Sequence, residues 1–322
     1  MQENKKTICK VLIPMINLEL TAEEILRYLQ EVELPERRSG ALGDVADEIM
    51  RYGAFVGSSV ECHPYLQRAM DHGRRYIDSL EKSGKAVPNG RIIVAETLTG
   101  PKGRFTRNWH APRGGLWGCL LHANTLTPRS TMLLSLAVGI AACEAVRLEI
   151  GGNKTFLRWV NDVLIEGVKV AGFLIESYTG PRWGEQFHLV GFGINVNNRD
   201  FPGELRDIAT SLRNRVAKEI DLKGFSLNFI AKLAWNIGLL YFVEARQTEW
   251  LQEDSSFSHP IIERWKELSD IVGQKVVFGH DVINSPQYSA VITGISPDGG
   301  LQMTLDDGSV VTEHSGEIRF CV

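Results

Sequence analysis

The periodicity of the chain changes near residue 270, and this change limits the folds that the chain can adopt. Between residues 55 and 268, short apolar runs that suit strands interleave with longer segments of helical period. This mixture lacks the regular strand–helix alternation of a Rossmann fold and predicts a mixed sheet of α+β type. From Val272 onward, short alternating strands are separated by turn residues, which predicts a small all-β domain. We therefore divide the chain into residues 1–54, 55–268 and 269–322.

Several elements of the middle segment follow from their apolar patterns. Arg91 to Ala95 and Leu116 to His122 are predicted to be buried strands, and a long helix is predicted from the cap Ser130 to about Gly151. The longest uninterrupted apolar stretch, Met132 to Cys143, is shorter than the roughly 20 residues of a membrane span, so it predicts a buried helix. Further strands are predicted at 156–159, 163–165, 169–176 and 187–191, and further helices at 226–246 and 258–268.

Residues 1–54 form an extension in which a strand, at 11–16, and two helices are predicted. Thr21 followed by Glu24 has the pattern of a capping box that begins the first helix, and the second helix is expected at 43–51. Paired helices favour a DNA-binding interpretation. The segment, however, carries seven basic and ten acidic side chains without a basic stripe, so we expect no specific DNA binding. The open alternatives are an interaction surface or a cover over a ligand pocket.

Composition excludes several classes of protein. The 322 residues include 43% hydrophobic and 23% charged side chains, which is ordinary for a globular protein. A net charge of −4 gives no field that attracts nucleic acid or an anionic membrane. The five cysteines are widely spaced, odd in number and without a CxxC pair, which argues against a disulfide framework and a cysteine-based zinc site. We expect reduced thiols in a cytoplasmic protein.

A loop rich in glycine and basic residues, Thr99 to Trp109, is the first candidate site. Its glycines let the backbone approach a ligand closely, and the cations of Lys102, Arg104 and Arg107 can hold phosphate oxygens. Trp109 can stack on a nucleobase. The structural alternative is an exposed basic loop that is merely solvated, and composition alone favours that alternative slightly.

Three further motifs lie at predicted strand ends. Asn161 and Asp162 can bind ribose, an amide or hydrated magnesium, although an ordinary Asn-Asp turn is commoner. Lys169 precedes an apolar strand with small residues that permit close approach of a ligand, yet a lone lysine there usually faces solvent. Gly191 to Asn195 combines two glycines with a polar side chain, which fits either backbone packed against a ligand or a strand-end bulge.

The order and spacing of these motifs resemble the catalytic domain of the biotin protein ligase family. That family has a loop written GRGRxGRxW, then a GGLW-like segment, KWPND, KxAG and GxGxN. This sequence contains GPKGRFTRNW, APRGGLWGCLL, RWVND, KVAG and GFGINVN in the same order, followed by ATSL at 209–212. The C-terminal segment is similar to the family's small SH3-like domain. The resemblance covers roughly residues 55–322 and implies a biotin/lipoate ligase-like, class II synthetase-like catalytic domain with a C-terminal SH3-like barrel.

The resemblance implies an ATP-dependent ligase that acts in two steps. The carboxylate of biotin attacks the α-phosphate of ATP to give an acyl adenylate, and a lysine of a biotin carboxyl carrier protein domain then takes the acyl group. The catalytic residues implied are Lys169, Arg104, Arg107 and Asp162. Those implied for ATP binding are Trp109, Asn161, Asn195 and Arg107. Asp162 is also implied to organise Mg²⁺ together with ATP.

The implied acid-binding site departs from the family at a position that bears on specificity. Leu98 stands where the family usually has a glutamine that hydrogen-bonds the ureido ring of biotin. Burying the polar groups of that ring unpaired costs about 1–3 kcal/mol each, so we expect weak biotin binding, and lipoate or octanoate stays open as the acid. The implied acid-binding residues are Ser59, Leu98, Lys102, Gly103, Arg104, Gly115, Trp117, Lys169, Gly172 and Gly191.

Two other functions stay open at this point. A non-catalytic family member would use the fold as a binding module, but retention of Arg104, Arg107, Asp162 and Lys169 opposes it. A bifunctional repressor is disfavoured by the acidic extension, and a homodimer is left open. Outside these positions, Pro101 and Lys102 replace Gly-Arg, Arg158 replaces lysine and Val160 replaces proline. The phosphate-binding positions are therefore retained better than the acid-binding ones.

Overall fold

The fold, taken from a computed structural model, consists of two β-sheets and a helical layer. It describes residues 18–104, 107–151, 154–160, 162–253 and 258–321, without the side chains of 247–253. The strands are β1 (Ser59–His63), β2 (Arg91–Ala95), β3 (Leu116–Ala123), β4 (Thr155–Arg158), β5 (Asp162–Ile165), β6 (Val168–Thr179), β7 (Gln186–Ile194), β8 (Lys275–Gly279), β9 (Tyr288–Ile295), β10 (Leu301–Leu305), β11 (Val310–Glu313) and β12 (Glu317–Phe320). The α-helices are α1 (Ala22–Tyr28), α2 (Leu34–Arg38), α3 (Ala46–Gly53), α4 (Ala69–Lys82), α5 (Pro128–Ile150), α6 (Leu212–Val216), α7 (Leu222–Glu253) and α8 (Pro260–Leu268). A π-helical turn spans Leu29–Glu33, and 3₁₀ turns span Gly43–Val45 and Gly203–Leu205.

The larger sheet has seven strands in the order β1-β2-β3-β7-β6-β5-β4. β1 pairs with β2 in parallel, and every other neighbouring pair is antiparallel. The sequence-based prediction of a mixed α+β sheet is therefore confirmed. The C-terminal strands form a separate antiparallel sheet in the order β11-β10-β9-β8-β12, as the change of pattern near residue 270 predicts.

Helices α5 and α7 cover one face of the large sheet and supply most of the apolar core. The predicted buried stretch 132–143 lies inside α5, where almost every side chain is buried. Among the described residues, α5 and residues Leu222–Arg246 of α7 are long and apolar enough to cross a membrane. Their most apolar windows are 72% and 89% buried inside the protein. Burial of this extent is typical of core helices, so their length and composition are weak support for a membrane span.

Two details of the helices differ from the sequence prediction. Ser130 does not cap α5: the helix begins at Pro128, with Thr127 at the N-cap position and Ser130 buried in the first turn. Proline suits this first position because its φ is fixed and it lacks an N–H that would need a partner. Strand β1 and helix α4 were not predicted, since α4 buries small and charged residues, such as Ala69, Gly73 and Glu81, that give little apolar signal.

The described part of the extension packs against the rest of the chain. Thr21 and Glu24 form the predicted capping box at α1. Helix α3 crosses α7 closely: a Cβ atom on Gly53 would lie 1.9 Å from the carbonyl oxygen of Ala234. Residues 18–54 thus contribute to the common core, whereas the predicted strand 11–16 lies outside the described residues. The division of the chain into an extension and a catalytic domain at residue 54 stays a proposal.

Two histidines are buried side by side in the large sheet. His122 in β3 is the cross-strand partner of His188 in β7, and their rings stack with centroids 5.9 Å apart. The hydroxyl of Tyr241 lies 3.0 Å from Nε2 of His122. Burial and, to a smaller extent, the neighbouring His188 lower the pKa of His122 to about 3. The folded protein therefore keeps His122 neutral.

We expect the free energy of unfolding to decrease as the pH falls below 6.5, because the unfolded chain then protonates His122 and the folded chain does not. Down to about pH 5, this side chain contributes a loss on the order of 2 kcal/mol. The substitution His122→Gln removes the titrating ring and is expected to reduce the pH dependence by that amount. Urea unfolding across this pH range measures the effect, with exposed His280→Gln as control. Equal pH dependence in wild type and His122→Gln would contradict the assignment.

Candidate active site

A carboxylate held between two cations lies at the centre of the candidate site. Asp162 begins β5, where it stands opposite Arg158 of β4 and Gly172 of β6. Its Oδ1 atom is 2.6 Å from Nζ of Lys169, and its Oδ2 atom is 2.8 Å from Nη2 of Arg158. The side chain of Asp162 is only 15% exposed, while that of Lys169 is 29% exposed and remains accessible to a ligand.

The charges of this cluster are set by their mutual pairing. Burial alone would raise the pKa of Asp162, but Lys169 and Arg158 outweigh it and hold the pKa below its ordinary value. Asp162 is therefore ionised at neutral pH and fixes the position of the Lys169 ammonium. A cation held in this way needs no reorganisation when an anion forms beside it.

Next to Lys169, the sheet presents bare backbone. Gly172 of β6 and Gly193 of β7 are register partners, and Gly191 lies two residues earlier on the same face of β7. The ring of Trp109 lies directly on this surface: Cβ atoms built on Gly193 and Gly172 would come within 2.9 Å and 3.1 Å of it. Any larger residue at these two glycines would push the ring away from the sheet.

The indole of Trp109 covers the backbone of these two glycines. Lys169 Nζ is 5.1 Å from its ring centroid, a distance suited to a cation–π contact. Its Nε1 atom is buried and lacks a hydrogen-bond partner among the described residues. A buried donor without a partner is unfavourable, so a movement of the ring that lets this N–H meet an acceptor would be favoured.

Trp117, by contrast, forms part of the floor beneath Trp109. It is fully buried, and its Nε1 atom donates to the carbonyl oxygen of Pro112 at 2.7 Å. The rings of Trp117 and Trp109 meet edge to face at 6.5 Å. Gly115 is required beside it, since a Cβ atom there would lie 2.0 Å from the Trp117 ring. Trp117 and Gly115 thus support the site from below.

The two described parts of the basic loop, 99–104 and 107–109, pair with each other, and Arg107 reaches the C-terminal domain. Lys102 and Asn108 form an isolated antiparallel bridge, and the Gly103 N–H donates to the Arg107 carbonyl oxygen at 2.7 Å. Arg107 makes two contacts with Glu317, at 2.6 and 2.7 Å, and a longer one with Asp281 at 3.4 Å. The guanidinium predicted to hold phosphate is therefore engaged by carboxylates of the other sheet.

Arg104 is a largely buried cation that is influenced by the charges of Glu317, Asp162 and Arg107. Burial lowers the pKa of its guanidinium, as does nearby Arg107, whereas Glu317 and Asp162 raise it. The group stays protonated at neutral pH because even a lowered arginine pKa lies far above 7. Arg104 thus lies within the electrostatic reach of the Asp162 cluster, as the sequence pattern requires of a phosphate-binding residue.

The remaining predicted motifs converge beside Lys169. Asn195, at the end of β7, is buried; its backbone N–H donates to Val170, and its Oδ1 accepts from Asn198 at 3.0 Å. Lys169 pairs with Ala209 of the ATSL segment in a parallel bridge. A cavity of about 270 Å³ opens there. It is lined by Val168, Arg199, Asp200, Phe201, Arg206, Asp207, Ala209, Thr210, Asn214 and Arg215.

Two predicted residues lie elsewhere or outside the described chain. Ser59 is the first residue of β1 and lies opposite Arg91 of β2. Leu66, which follows Ser59 by seven residues, pairs with Leu98 in the same parallel register. Ser59 and the Leu66–Leu98 pair therefore lie at opposite ends of this parallel pairing, and the Ser59 hydroxyl accepts from Nη1 of Arg91 at 2.6 Å. Asn161 is outside the described residues.

The segment that does lie beside Leu98 was missed. The Thr99 and Gly100 N–H groups donate to the carbonyl oxygens of Leu66 and Gln67, each at 3.0 Å. Leu98 itself is half-buried against the apolar cluster beneath α4. Gln67 is exposed, and a Cβ atom on Gly100 would lie 3.3 Å from its Cγ. The sequence offered no signal for this pairing because it depends on the parallel register of β1 and β2.

The chain is similar in sequence to known ligases. The model of the biotin/lipoate A/B protein ligase family matches residues 74–197. A biotin–[acetyl-CoA-carboxylase] ligase of Paracoccus denitrificans is 30% identical over 184 residues, which cover 54% of this chain and 74% of that protein. The bifunctional ligase/repressor BirA of Bacillus subtilis is 31% identical over 212 residues, or 63% of each chain. The match thus spans less than two thirds of the repressor-type relative.

A solved structure shares the fold. The biotin protein ligase from Aquifex aeolicus, in complex with biotin and ATP, superimposes with a TM-score of 0.61. It covers 82% of this chain and 98% of that one, at 24% sequence identity. At this identity the likeness establishes the fold alone, which is a mixed-sheet catalytic domain with a second, antiparallel C-terminal sheet.

We expect a measurable but small coupling between Arg107 and Glu317, because Arg107 is 42% exposed and solvent screens the pair. A double-mutant cycle with Arg107→Gln and Glu317→Gln, read by urea unfolding, should give about 0.2–1 kcal/mol that declines at high salt. The control cycle pairs Arg107→Gln with Asp306→Asn, a carboxylate that instead pairs with Lys275. Equal coupling in both cycles would show that the loop does not engage Glu317 specifically.

Proposed function

This chain belongs to the biotin protein ligase family, and we propose that it is an ATP-dependent ligase that adenylates biotin and transfers it to a lysine of a carrier protein. The observation that supports this most directly is the Lys169 ammonium, fixed by Asp162 beside the bare backbone of Gly172 and Gly193. The name of the Paracoccus denitrificans relative indicates biotin as the substrate. The cations of the site can bring the two anionic reactants, a carboxylate and ATP, together.

In the first step a carboxylate oxygen attacks the α-phosphorus of ATP. A P–O bond forms, the bond to the β-phosphate breaks, and pyrophosphate leaves with the electron pair. The two reactants repel each other, so the main task of the protein is to place cations where negative charge develops. Lys169 is held by Asp162, and Arg104 lies within the electrostatic reach of the same carboxylate.

The loop 99–109 then has to open and close during turnover. Trp109 covers the backbone of Gly172 and Gly193, so a ligand that binds on these glycines has to displace its ring. Arg107 has to exchange Glu317 and Asp281 for phosphate oxygens as the loop closes. Closure would keep water from the adenylate, which otherwise hydrolyses. In the second step the acceptor lysine amine attacks the acyl carbon, the bond to AMP breaks, and AMP leaves.

The site does not fit a direct bond between Asp162 and Mg²⁺. Both carboxylate oxygens of Asp162 are already engaged by Lys169 and Arg158. A divalent ion would have to displace one of these cations from a largely buried carboxylate. We therefore propose that Asp162 positions Lys169 and does not bind Mg²⁺ directly.

The proposal extends to the setting of the enzyme. The acceptor would be a biotin carboxyl carrier protein domain, and the C-terminal sheet would be of SH3-like type. We place the enzyme in the cytoplasm without specific DNA binding, on the basis of its composition and the acidic residues 1–54. A homodimer stays compatible with these features.

Purified protein is expected to form pyrophosphate and biotinyl adenylate from ATP, Mg²⁺ and biotin, detected by mass spectrometry. Removing the cation in Lys169→Ala is expected to reduce adenylation by on the order of 10²–10³-fold, the usual loss for one charge-stabilising group. The matched control is Lys154→Ala, which removes a lysine paired with Glu166 at 2.6 Å on the exposed surface. A near-normal rate in folded Lys169→Ala would remove Lys169 from the catalytic residues. Absence of turnover with biotin, lipoate and octanoate would contradict the ligase proposal.

The identity of the acid depends on Leu98 and its neighbour Gln67. The ureido ring of biotin has two N–H donors and one carbonyl acceptor, and Leu98 cannot pair with any of them through its side chain. Gln67, which extends over Gly100 beside Leu98, offers an amide from the adjacent segment. We propose that Gln67 supplies part of the hydrogen bonding that position 98 lacks.

Biotin affinity is therefore expected to fall about tenfold in Gln67→Leu and to rise about tenfold in Leu98→Gln, each change corresponding to about 1.4 kcal/mol. Calorimetry measures both, with octanoate as a ligand that has no ureido group and should respond to neither amide. Because Leu98 packs against apolar neighbours, the folded state of each variant has to be checked by thermal unfolding. Tight biotin binding that neither substitution alters would show that other groups satisfy the ring.

A further inference from the structure

A second cluster of charged and metal-ligating side chains lies at the edge of the large sheet, away from Asp162 and Lys169. Glu61 and His63 are on the edge strand β1, and His72 is on α4. Oε1 of Glu61 is 2.8 Å from Nε2 of His63 and 3.0 Å from Nε2 of His72. One ligand atom from each residue lies within 4.8 Å of the other two. Three donors thus converge on one point from two elements.

The carboxylate is held in place from its other side. Oε2 of Glu61 accepts from Nη2 of Arg91 at 2.6 Å, and Nη1 of Arg91 donates to Ser59 at 2.6 Å. The guanidinium lies 4.2 Å from the ring centroid of Tyr76. Arg91 therefore neutralises one oxygen and orients the group, while Oε1 faces the two imidazoles. This arrangement leaves a single oxygen for a further ligand.

The two histidines and Glu61 are accessible to a metal ion. Their side chains are 22% and 23% exposed, and that of Glu61 is 27% exposed, so an ion can reach them from solvent. The ring centroids of His63 and His72 are 4.6 Å apart, with the rings edge to face.

We propose that Glu61, His63 and His72 form a binding site for a zinc-type divalent ion. Two imidazole nitrogens and one carboxylate oxygen are a ligand set that zinc uses, with a fourth position left for water. Bond lengths of about 2.0–2.2 Å require ligand atoms roughly 3.3 Å apart in a tetrahedral arrangement. The present separations from Oε1 of 2.8 and 3.0 Å need only small side-chain movements. Binding would replace the Nε2 protons and shift each histidine to its Nδ1–H tautomer.

Such an ion would join an edge strand to the helix that covers the sheet. β1 pairs only with β2 in the described sheet, so its outer side lacks a neighbouring strand. The chain continues from His63 to Leu66 and Gln67, which pair with the loop segment around Leu98. Metal binding would therefore rigidify one wall of the proposed acid site. The proposal itself rests on the cluster geometry and does not depend on the ligase activity.

Zinc titration of the full chain by calorimetry tests this site. We expect one equivalent to bind to it, and we expect His63→Asn and His72→Asn each to weaken that binding at least tenfold. His280→Asn, which removes an exposed histidine of the C-terminal sheet, is the matched control and should leave the affinity unchanged. Cobalt gives an independent readout: the wild-type complex should show the visible absorption of a four-coordinate site, and the two variants should lose it.

Two results would overturn the proposal. One is that the wild type binds no zinc and its thermal midpoint does not rise with zinc. The other is that zinc binds with the same affinity in His63→Asn and His72→Asn, which would place the ion on other side chains. Circular dichroism establishes that the variants are folded, and Glu61→Gln provides a third substitution of nearly unchanged shape. That variant should also lose zinc affinity, because the amide oxygen lacks the carboxylate charge.

Discussion

The alternation of glycine with large apolar residues in β7 is the constraint on which the rest of the site depends. Phe192 and Ile194 point into the core beneath α5 and α7. Gly191 and Gly193 place no side chain on the opposite face of the same strand, where Met70 and the Trp109 ring lie. Since successive side chains of a strand point to opposite faces, one short sequence builds the core and the ligand surface together. A shift of one residue in register would bury the glycines and expose the aromatic ring. The large apolar layer therefore fixes the surface on which Trp109 lies.

This constraint also determines the electrostatics. Because β5, β6 and β7 are held in register by the core, Asp162 faces Gly172, and Lys169 reaches Asp162 across the bare surface. A lysine beside a largely buried carboxylate has its charge fixed in position without being fully withdrawn from solvent. The main contribution of such a pair is to orient the cation and not to stabilise the fold. A cation fixed in position stabilises developing negative charge without reorganisation. The same backbone geometry thus sets both where a ligand lies and where positive charge stands.

The sequence predicted the features that depend on local pattern and missed those that depend on register between distant segments. The strand at 91–95 and the capping box at Thr21 follow from nearby residues, and both agree with the structure. The surroundings of Ser59 depend on how β1 pairs with β2, which a motif position alone does not report. The contact of Arg107 with Glu317 joins residues 210 positions apart, and no periodicity reports such a contact. The order of the site motifs along the chain was therefore predictable from the sequence. The residues that the loop 99–109 contacts were not predictable.

The acidic extension shows how a charge count can describe the inside of a protein as well as its surface. Glu33 is fully buried and pairs with Lys232 of α7 at 3.2 Å, and it also accepts from Arg37 at 2.8 Å. Glu24 and Glu48 likewise pair with residues of α7, which are Lys223 and Arg246. Glu36 also lies 3.5 Å from Lys232, so four of the acids in the extension face basic residues of the core helix. Leaving one member of the Glu33–Lys232 pair unpaired and buried would be strongly unfavourable, so the pairing selects one docked position. These acids dock the extension on α7. The negative net charge of residues 1–54 therefore belongs partly to an internal interface and not only to the protein surface.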